Sequence, residues 1–161
     1  MKKKFNKRTY HNFKEVLADL RFMRSNRARI RAMMNTDLVS EAFRERLMMA
    51  VTAVNGCRYC SYFHARQALS SGISTEEITA ITRSEFGACP AEEQAAIVYA
   101  QHWAEMNAQP EPAVRENVLA VYGAEKMDAI EMALRMIRMG NLMGNSFDKV
   151  LFRLSFGLVG G

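Results

Sequence analysis

Two helices in direct succession are predicted by residues 40–64, which read SEAFRERLMMAVTAVNGCRYCSYFH. The first should run to about residue 55, because its apolar side chains recur at three and four positions, the spacing of one helical face. These side chains are Phe43, Leu47, Ala50, Val51 and Val54. Gly56 ends this helix, and the second is expected to begin near Cys57 and to end at Gly72, which suits the left-handed position after a helix. Two cysteines therefore lie at the start of the second helix.

The rest of the chain is predicted to be helical as well. It holds only three prolines, and no segment alternates apolar and polar residues as a strand would. Further helices are predicted over about 13–24, 26–34, 74–83, 90–107, 112–122 and 123–152. Gly140 and Gly144 are expected to interrupt the last of them. The pattern predicts an all-α protein with the helices packed as an orthogonal bundle.

Two of these helices have a predicted core face. In the helix over 90–107 it consists of Ala95, Val98, Tyr99 and His102. In the last helix it consists of Met127, Ile130, Leu134 and Ile137, and continues turn by turn to Asn141 and Asn145. His102 is interpreted as a core or boundary residue rather than a catalytic one. Other methionines of the last helix lie off its core face, which indicates either a methionine-rich core or burial against a partner copy.

Charge is concentrated at the N-terminus. Residues 1–35 carry eleven Lys and Arg against two acidic residues, or +9, and the remainder carries eleven against fifteen, or −4, which sums to the net charge of +5. We interpret residues 1–35 as a basic helical extension. Clustered Lys and Arg could bind nucleic acid or an anionic membrane, but we favour a solvated tail followed by a helix that docks on an acidic neighbour. The longest apolar run, 47–54, is far shorter than the roughly 18 residues of a membrane span, and no secretory signal is present. A cytoplasmic protein is expected.

Chemistry is indicated by Cys57, Cys60 and His64, which form the pattern C-x-x-C-x-x-x-H. The positive end of a helix favours a thiolate, and His64 lies one turn from Cys60 on the same face. Two cysteines at this spacing can also close a disulfide, so the set suits reversible two-electron redox chemistry. A zinc site completed by Cys89, His11 or His102 is one alternative, and a pair of buried inert cysteines is another. Cys89, which precedes a proline, is interpreted as structural.

The motif resembles that of the AhpD-like alkylhydroperoxidases, within the carboxymuconolactone decarboxylase superfamily. In that family a glutamate precedes the first cysteine by twelve residues and a histidine follows the second by four, and Glu45 and His64 match both spacings. The resemblance covers residues 36–161 and implies an AhpD-like helical bundle. Periodicity alone predicts Glu45 as an exposed ion-pair residue, whereas the resemblance implies that it polarises His64. Tyr59 stands where the best-known members have a second histidine, so a relay through that imidazole is absent.

The resemblance implies a thiol-dependent peroxidase or disulfide reductase of antioxidant defence, with Cys57, Cys60, His64 and Glu45 as catalytic residues. His64 would deprotonate Cys60, which attacks the peroxide, and Cys57 would then form the disulfide, although the spacing alone does not fix which cysteine attacks first. No cofactor or metal is implied. The expected partners are a peroxide, a dithiol or protein reductant, and further copies of the chain in a trimer or hexamer. A lactone decarboxylase and a non-enzymatic redox sensor or binding protein are the alternatives.

Overall fold

The computed structural model describes residues 4–35 and 37–160, and within them the chain forms seven α-helices and no strand. The helices are α1 Phe13–Ser25, α2 Arg27–Met34, α3 Glu41–Asn55, α4 Arg58–Ser70, α5 Thr75–Thr82, α6 Ala91–Glu105 and α7 Pro112–Leu154. The predicted all-α class is confirmed. Residues 1–3 of the predicted basic extension lie outside the described residues. So do residues 36 and 161, the two ends of the region that the family resemblance covers.

The helix ends follow local capping chemistry. Asn12 accepts a hydrogen bond from the backbone N–H of Glu15 at the start of α1, and Ser40 accepts one from Phe43 at the start of α3. Gly56 ends α3 with φ of 72°, a left-handed conformation that costs glycine little. The predicted boundaries agree with these helices to within about two residues, because capping residues and glycines can be read directly from sequence.

Helix α3 is the centre of the bundle and packs against α4, α5, α6 and α7. It is buried on nearly every side, including its polar residues Glu45 and Arg46. Arg46 forms ion pairs with Glu77 of α5 and Glu93 of α6, so its charge is compensated inside the fold. The single apolar face predicted for this helix therefore understates its burial, because the neighbouring helices supply partners for its charges.

Helix α7 bends sharply at Gly123, where φ is 75° and ψ is 167°. Arg115 before the bend and Glu131 after it form an ion pair with an N to O distance of 2.7 Å, although 16 residues of straight helix would separate them by about 24 Å. The predicted stop at Gly123 is thus confirmed. The predicted interruptions at Gly140 and Gly144 are wrong, since the helix continues through both.

The predicted core face of α7 is confirmed. Met127, Ile130, Leu134 and Ile137 are buried, and so are Asn141 and Asn145. The buried face continues to Asp148, which is fully enclosed. The apolar part of this face packs in the main core, and its polar end lies where the N-terminal residues cross the molecule.

The predicted face of α6 is wrong for two of its four residues, Ala95 and Val98, which are exposed, whereas Tyr99 is buried as predicted. Val98 is half exposed, whereas Ile97 and Trp103, which fall outside the predicted face, are buried. The reason is that α6 packs against both α3 and α7, so its core face is set by two neighbours rather than by one stripe. His102 lies at the boundary, as predicted, with its Nε2 atom 3.9 Å from the carboxylate of Glu111.

Residues 4–12, here called the N-terminal strap, run across the ends of α3, α6 and α7. The backbone N–H of Arg8 donates to the carbonyl of Asn55, and the Asn145 side chain donates to the carbonyls of both residues. The Arg8 guanidinium donates to the last carbonyls of α6, where a cation also complements the helix dipole. The predicted solvated tail is wrong for residues 7–10, because their backbone or side chains, including the cations of Lys7 and Arg8, have partners in the bundle.

Asp148 is the buried anion beneath the strap. Lys7 of the strap and Arg58 of α4 each lie 2.8 Å from one of its carboxylate oxygens. Burial by itself would raise the pKa of Asp148, but hydrogen bonds from Lys7, Tyr59 and Arg58 outweigh it and lower the pKa below its usual value. The carboxylate is therefore stabilised in its charged form and joins the strap to α4 and α7.

No helix in the described residues combines the length and the apolar character that a bilayer span requires.

Replacing Lys7 tests the contribution of this buried ion pair. Lys7→Met leaves one oxygen of Asp148 without its partner, so we expect a loss of about 1–3 kcal/mol in the free energy of unfolding near neutral pH, measured by urea denaturation. Since the pKa of Asp148 is lowered on folding, this loss should fade as the pH drops below about 4, the unfolded pKa of aspartate. The exposed Lys4→Met is the matched control. Equal stability of the two variants would contradict the assignment.

Candidate active site

The two close cysteines meet where α4 begins. Cys57 is the N-cap residue of α4, and its Sγ atom lies 2.8 Å from that of Cys60 in the first turn. Both are free thiols. The backbone N–H of Cys60 also points at the Cys57 sulfur, at 3.4 Å. The helix start thus directs its unpaired N–H groups at one sulfur and holds the second sulfur beside it.

The pKa values of these two thiols are shifted in opposite directions. A hydrogen bond from the Cys60 thiol outweighs burial and, with the backbone N–H groups of Cys60 and Tyr59, lowers the pKa of Cys57 to about 6. The same hydrogen bond and burial raise the pKa of Cys60 well above its usual range. This hydrogen bond therefore favours the negative charge on Cys57 and the proton on Cys60.

Glu45 and His64 form the second pair of the site. The Glu45 carboxylate lies 2.7 Å from Nδ1 of His64, and Glu45 is only 5% exposed. The exposed position that periodicity predicts for Glu45 is therefore wrong, because the packing of α4 on α3 encloses it beside the histidine. With Nδ1 occupied by the carboxylate, Nε2 of His64 is the nitrogen available for proton exchange. His64 lies one helical turn from Cys60 on the same face of α4.

Access to the sulfur atoms differs. Cys57 is fully buried, whereas Cys60 is half-buried. Tyr59, Tyr62 and Phe63 expose their rings on the same helix, and the Phe63 ring stands edge-on to His64 at a centroid distance of 5.1 Å. A molecule arriving from solvent therefore reaches the sulfur of Cys60 before that of Cys57.

Two glycines of α7 lie against the cysteine pair. A Cβ atom added to Gly140 would lie 3.9 Å from the Cys60 sulfur, which is an ordinary contact. A Cβ atom added to Gly144 would lie 2.9 Å from the Cys57 sulfur, closer than side chains normally approach. Gly144, which the sequence suggests as a helix interruption, instead allows the start of α4 to approach α7 closely.

A buried amide network supports the same junction. Asn141 donates to Thr52 and accepts from Asn55, both at 3.1 Å, and its side chain also hydrogen-bonds Cys60 and favours the thiolate there. The periodicity of α7 predicts that its apolar face continues to the amides Asn141 and Asn145, but it predicts no role for Asn141. An amide at a core position was the signal that could have identified it, because buried amides require partners.

The remaining candidate ligands lie apart from this site. Cys89 is buried beside Glu77, and its pKa is raised to about 11, mainly by burial. No group of three His, Cys, Asp or Glu side chains within the described residues is arranged to hold a metal ion. Cys89 therefore stands in a structural environment, away from the cysteine pair.

The comparison with protein families identifies the chain. Residues 21–102, half of the sequence, match the family model described as the carboxymuconolactone decarboxylase family. The chain belongs to this family. No curated protein and no solved structure matches it.

The carboxymuconolactone decarboxylase match begins within α1 and ends within α6. It contains Glu45, Cys57, Cys60 and His64, whereas Asn141 and the two glycines of α7 lie beyond it. The Tyr59 hydroxyl accepts a hydrogen bond from Arg58, and Arg58 also binds Asp148. In this member of the family, the residue before the second cysteine is thus linked to the buried anion under the strap.

The two glycines provide a matched test of this packing. Gly144→Ala should displace the Cys57 sulfur, lower the free energy of unfolding by about 1–3 kcal/mol and slow disulfide formation with the thiol oxidant diamide on the order of 10-fold. Gly140→Ala has space for its methyl group and should gain up to about 1 kcal/mol from helix propensity with little change in the rate. The same response in both variants would show that the close approach at residue 144 does not position the sulfur.

Proposed function

We propose that the protein is a thiol-dependent peroxidase or disulfide reductase that works in antioxidant defence. The observation that carries this proposal is the cysteine pair, with its sulfur atoms 2.8 Å apart at a helix start, on the helix whose His64 is bound to the buried Glu45. A nucleophile, a resolving thiolate, a base and a group that orients the base are the parts that two-electron thiol chemistry requires.

The first step of the proposed reaction takes place at Cys60, the accessible sulfur. Nε2 of His64 removes the thiol proton while the sulfur attacks one peroxide oxygen, so an S–O bond forms and the O–O bond breaks. His64 then returns the proton to the departing alkoxide, which leaves as an alcohol. Cys60 becomes a sulfenic acid, and the peroxide has gained two electrons.

The second step uses the charge already present on Cys57. Its thiolate attacks the sulfenic sulfur, an S–S bond forms, and the S–O bond breaks with loss of hydroxide, which takes a proton from solvent. The lowered pKa of Cys57 in the reduced protein favours this thiolate before the peroxide arrives. A dithiol or a protein thiol then reduces the disulfide by exchange and is itself oxidised.

Glu45 is proposed to act through His64. It holds Nδ1 in a hydrogen bond and compensates the imidazolium that forms when Nε2 takes a proton. Its burial strengthens this interaction, since water competes less for the carboxylate.

Counting free thiols tests the proposal. In the reduced protein, one equivalent of hydrogen peroxide should lower the count from three to one, because Cys57 and Cys60 pair while Cys89 stays free. Cys60→Ser should abolish this loss, and Cys89→Ser should still lose two thiols. Glu45→Gln should reach the same end point on the order of 100-fold more slowly, measured by stopped thiol titration. Three thiols persisting after peroxide would overturn the peroxidase proposal.

A lactone decarboxylase is the second candidate. It is favoured by the family description and by the Glu45 and His64 pair, which can exchange protons without sulfur. Cys57→Ser distinguishes the two: it should leave a decarboxylase active on a lactone acid and should stop disulfide formation.

We also propose that the protein assembles with further copies of itself through α7. Four apolar side chains recur at helical spacing on α7 and are exposed: Met143, Phe147, Val150 and Leu154.

Sedimentation velocity tests this assembly. It should find a trimer or hexamer, and Phe147→Ser should shift the protein towards smaller species. Val121→Ser, at an exposed apolar residue before the bend, is the control. A monomeric parent protein would contradict the proposal.

A further inference from the structure

Helix α1 has an apolar stripe that faces away from the bundle. Phe13, Leu17 and Leu20 are spaced by four and three residues, so they occupy an arc of about 60° on the helix surface. Their exposed fractions are 71%, 37% and 44%. No residue of α1 is buried. The helix thus presents three large apolar side chains that the bundle does not cover.

The opposite face of α1 is anchored, which fixes the direction of this stripe. Asp19 accepts a hydrogen bond from the Tyr10 hydroxyl at 2.7 Å and one from Arg138 of α7 at 3.3 Å. The Phe22 ring lies under the guanidinium of Arg135, 4.7 Å from the ring centroid. Turning the stripe inward would break these contacts, so the apolar side chains remain on the outside.

Exposed cations lie beside the stripe on α1 and on the following helix α2. Five of them lie on α1 and α2: Lys14, Arg21, Arg24, Arg27 and Arg31. In the part of the chain that the structure describes, none of these five side chains has a hydrogen-bond or ion-pair partner. The nearby carboxylates are already engaged, Asp19 with Arg138 and Glu15 with the N-terminal cap of α1. The surface therefore combines an apolar stripe with uncompensated positive charge.

The chemistry of this surface limits what can cover it. A second copy placed face to face would bring five cations against five, which repel each other. Nucleic acid would compensate the cations but would leave Phe13, Leu17 and Leu20 against a charged backbone. An anionic bilayer meets both requirements, since its phosphates attract the cations and its acyl boundary accepts the apolar side chains.

We propose that α1 and α2 form a docking surface for anionic lipid bilayers. In the bound state α1 lies in the plane of the interface, with Phe13, Leu17 and Leu20 at the boundary between headgroups and acyl chains. The five cations lie at the level of the phosphates. This binding is reversible and peripheral, and it does not depend on the thiol chemistry proposed above.

Co-sedimentation with phosphatidylcholine vesicles, with and without phosphatidylglycerol, tests the proposal on the full chain. Binding should require phosphatidylglycerol and should weaken as salt rises, because salt screens exposed charges. Phe13→Ser combined with Leu20→Ser should weaken it at least about tenfold with all cations retained. Val98→Ser combined with Val121→Ser removes two exposed apolar side chains elsewhere and should leave binding unchanged.

The cations are tested in the same way. Arg21→Gln combined with Arg27→Gln should weaken vesicle binding about tenfold or more. Arg83→Gln combined with Arg153→Gln removes the same charge from other exposed positions and is the control. Circular dichroism and the thiol titration should be the same in all four variants, because none of the substituted residues is buried or belongs to the cysteine site.

Three results would overturn the proposal. The first is no binding to phosphatidylglycerol vesicles at low salt. The second is vesicle binding that persists in the Phe13 and Leu20 variant, together with tighter binding to duplex DNA, which would indicate a nucleic-acid surface. The third is a pair of results: the parent protein does not bind vesicles, and sedimentation velocity finds a smaller oligomer for the Phe13 and Leu20 variant than for the parent. This pair would indicate that the stripe contacts a second copy of the chain.

Discussion

The left-handed turn at Gly56 is the constraint on which the rest of the structure depends. It ends α3 and redirects the chain so that α4 starts against α7, and Cys57 is the N-cap residue of α4. Because α4 then runs alongside α3, Glu45 and His64, nineteen residues apart, come within hydrogen-bonding distance. The backbone carbonyl before the turn, that of Asn55, is held by both the N-terminal strap and Asn145. Fixing one turn thus places both halves of the candidate site.

The polar end of α7 explains how the residues on either side of this turn, Asn55 and Cys57, can be buried. Asn141, Asn145 and Asp148 are all fully buried, and each has partners on other elements. Such groups are costly when unpaired, so they require α3, α4 and the strap to sit in one arrangement. The strap is part of this arrangement, since Lys7 compensates Asp148 and Arg8 joins the end of α3 to that of α6. The basic N-terminus is therefore divided between a structural strap and the exposed cations of α1 and α2.

The errors of the sequence analysis share a cause. Periodicity assumes that a helix has one buried face, and this holds for α7 after its bend, where Met127, Ile130, Leu134 and Ile137 are buried as predicted. It fails for α3, which buries side chains on nearly every side, and for half of the predicted face of α6, which packs against both α3 and α7. Glycine is ambiguous for a related reason. Gly56 and Gly123 adopt positive φ, whereas Gly144 is helical and is needed for the close approach of Cys57.

The sequence by itself determined the helical class, the helix boundaries and the position of the candidate cysteine pair. Caps, glycines and the spacing of Cys57, Cys60 and His64 act over a few residues of chain, so they can be read without the fold. The tertiary structure alone decided that Glu45 is buried beside His64, that Asn141 contacts the cysteine pair, and that Lys7 compensates Asp148. These contacts join residues far apart in the chain, and helical spacing carries no information about which helices become neighbours.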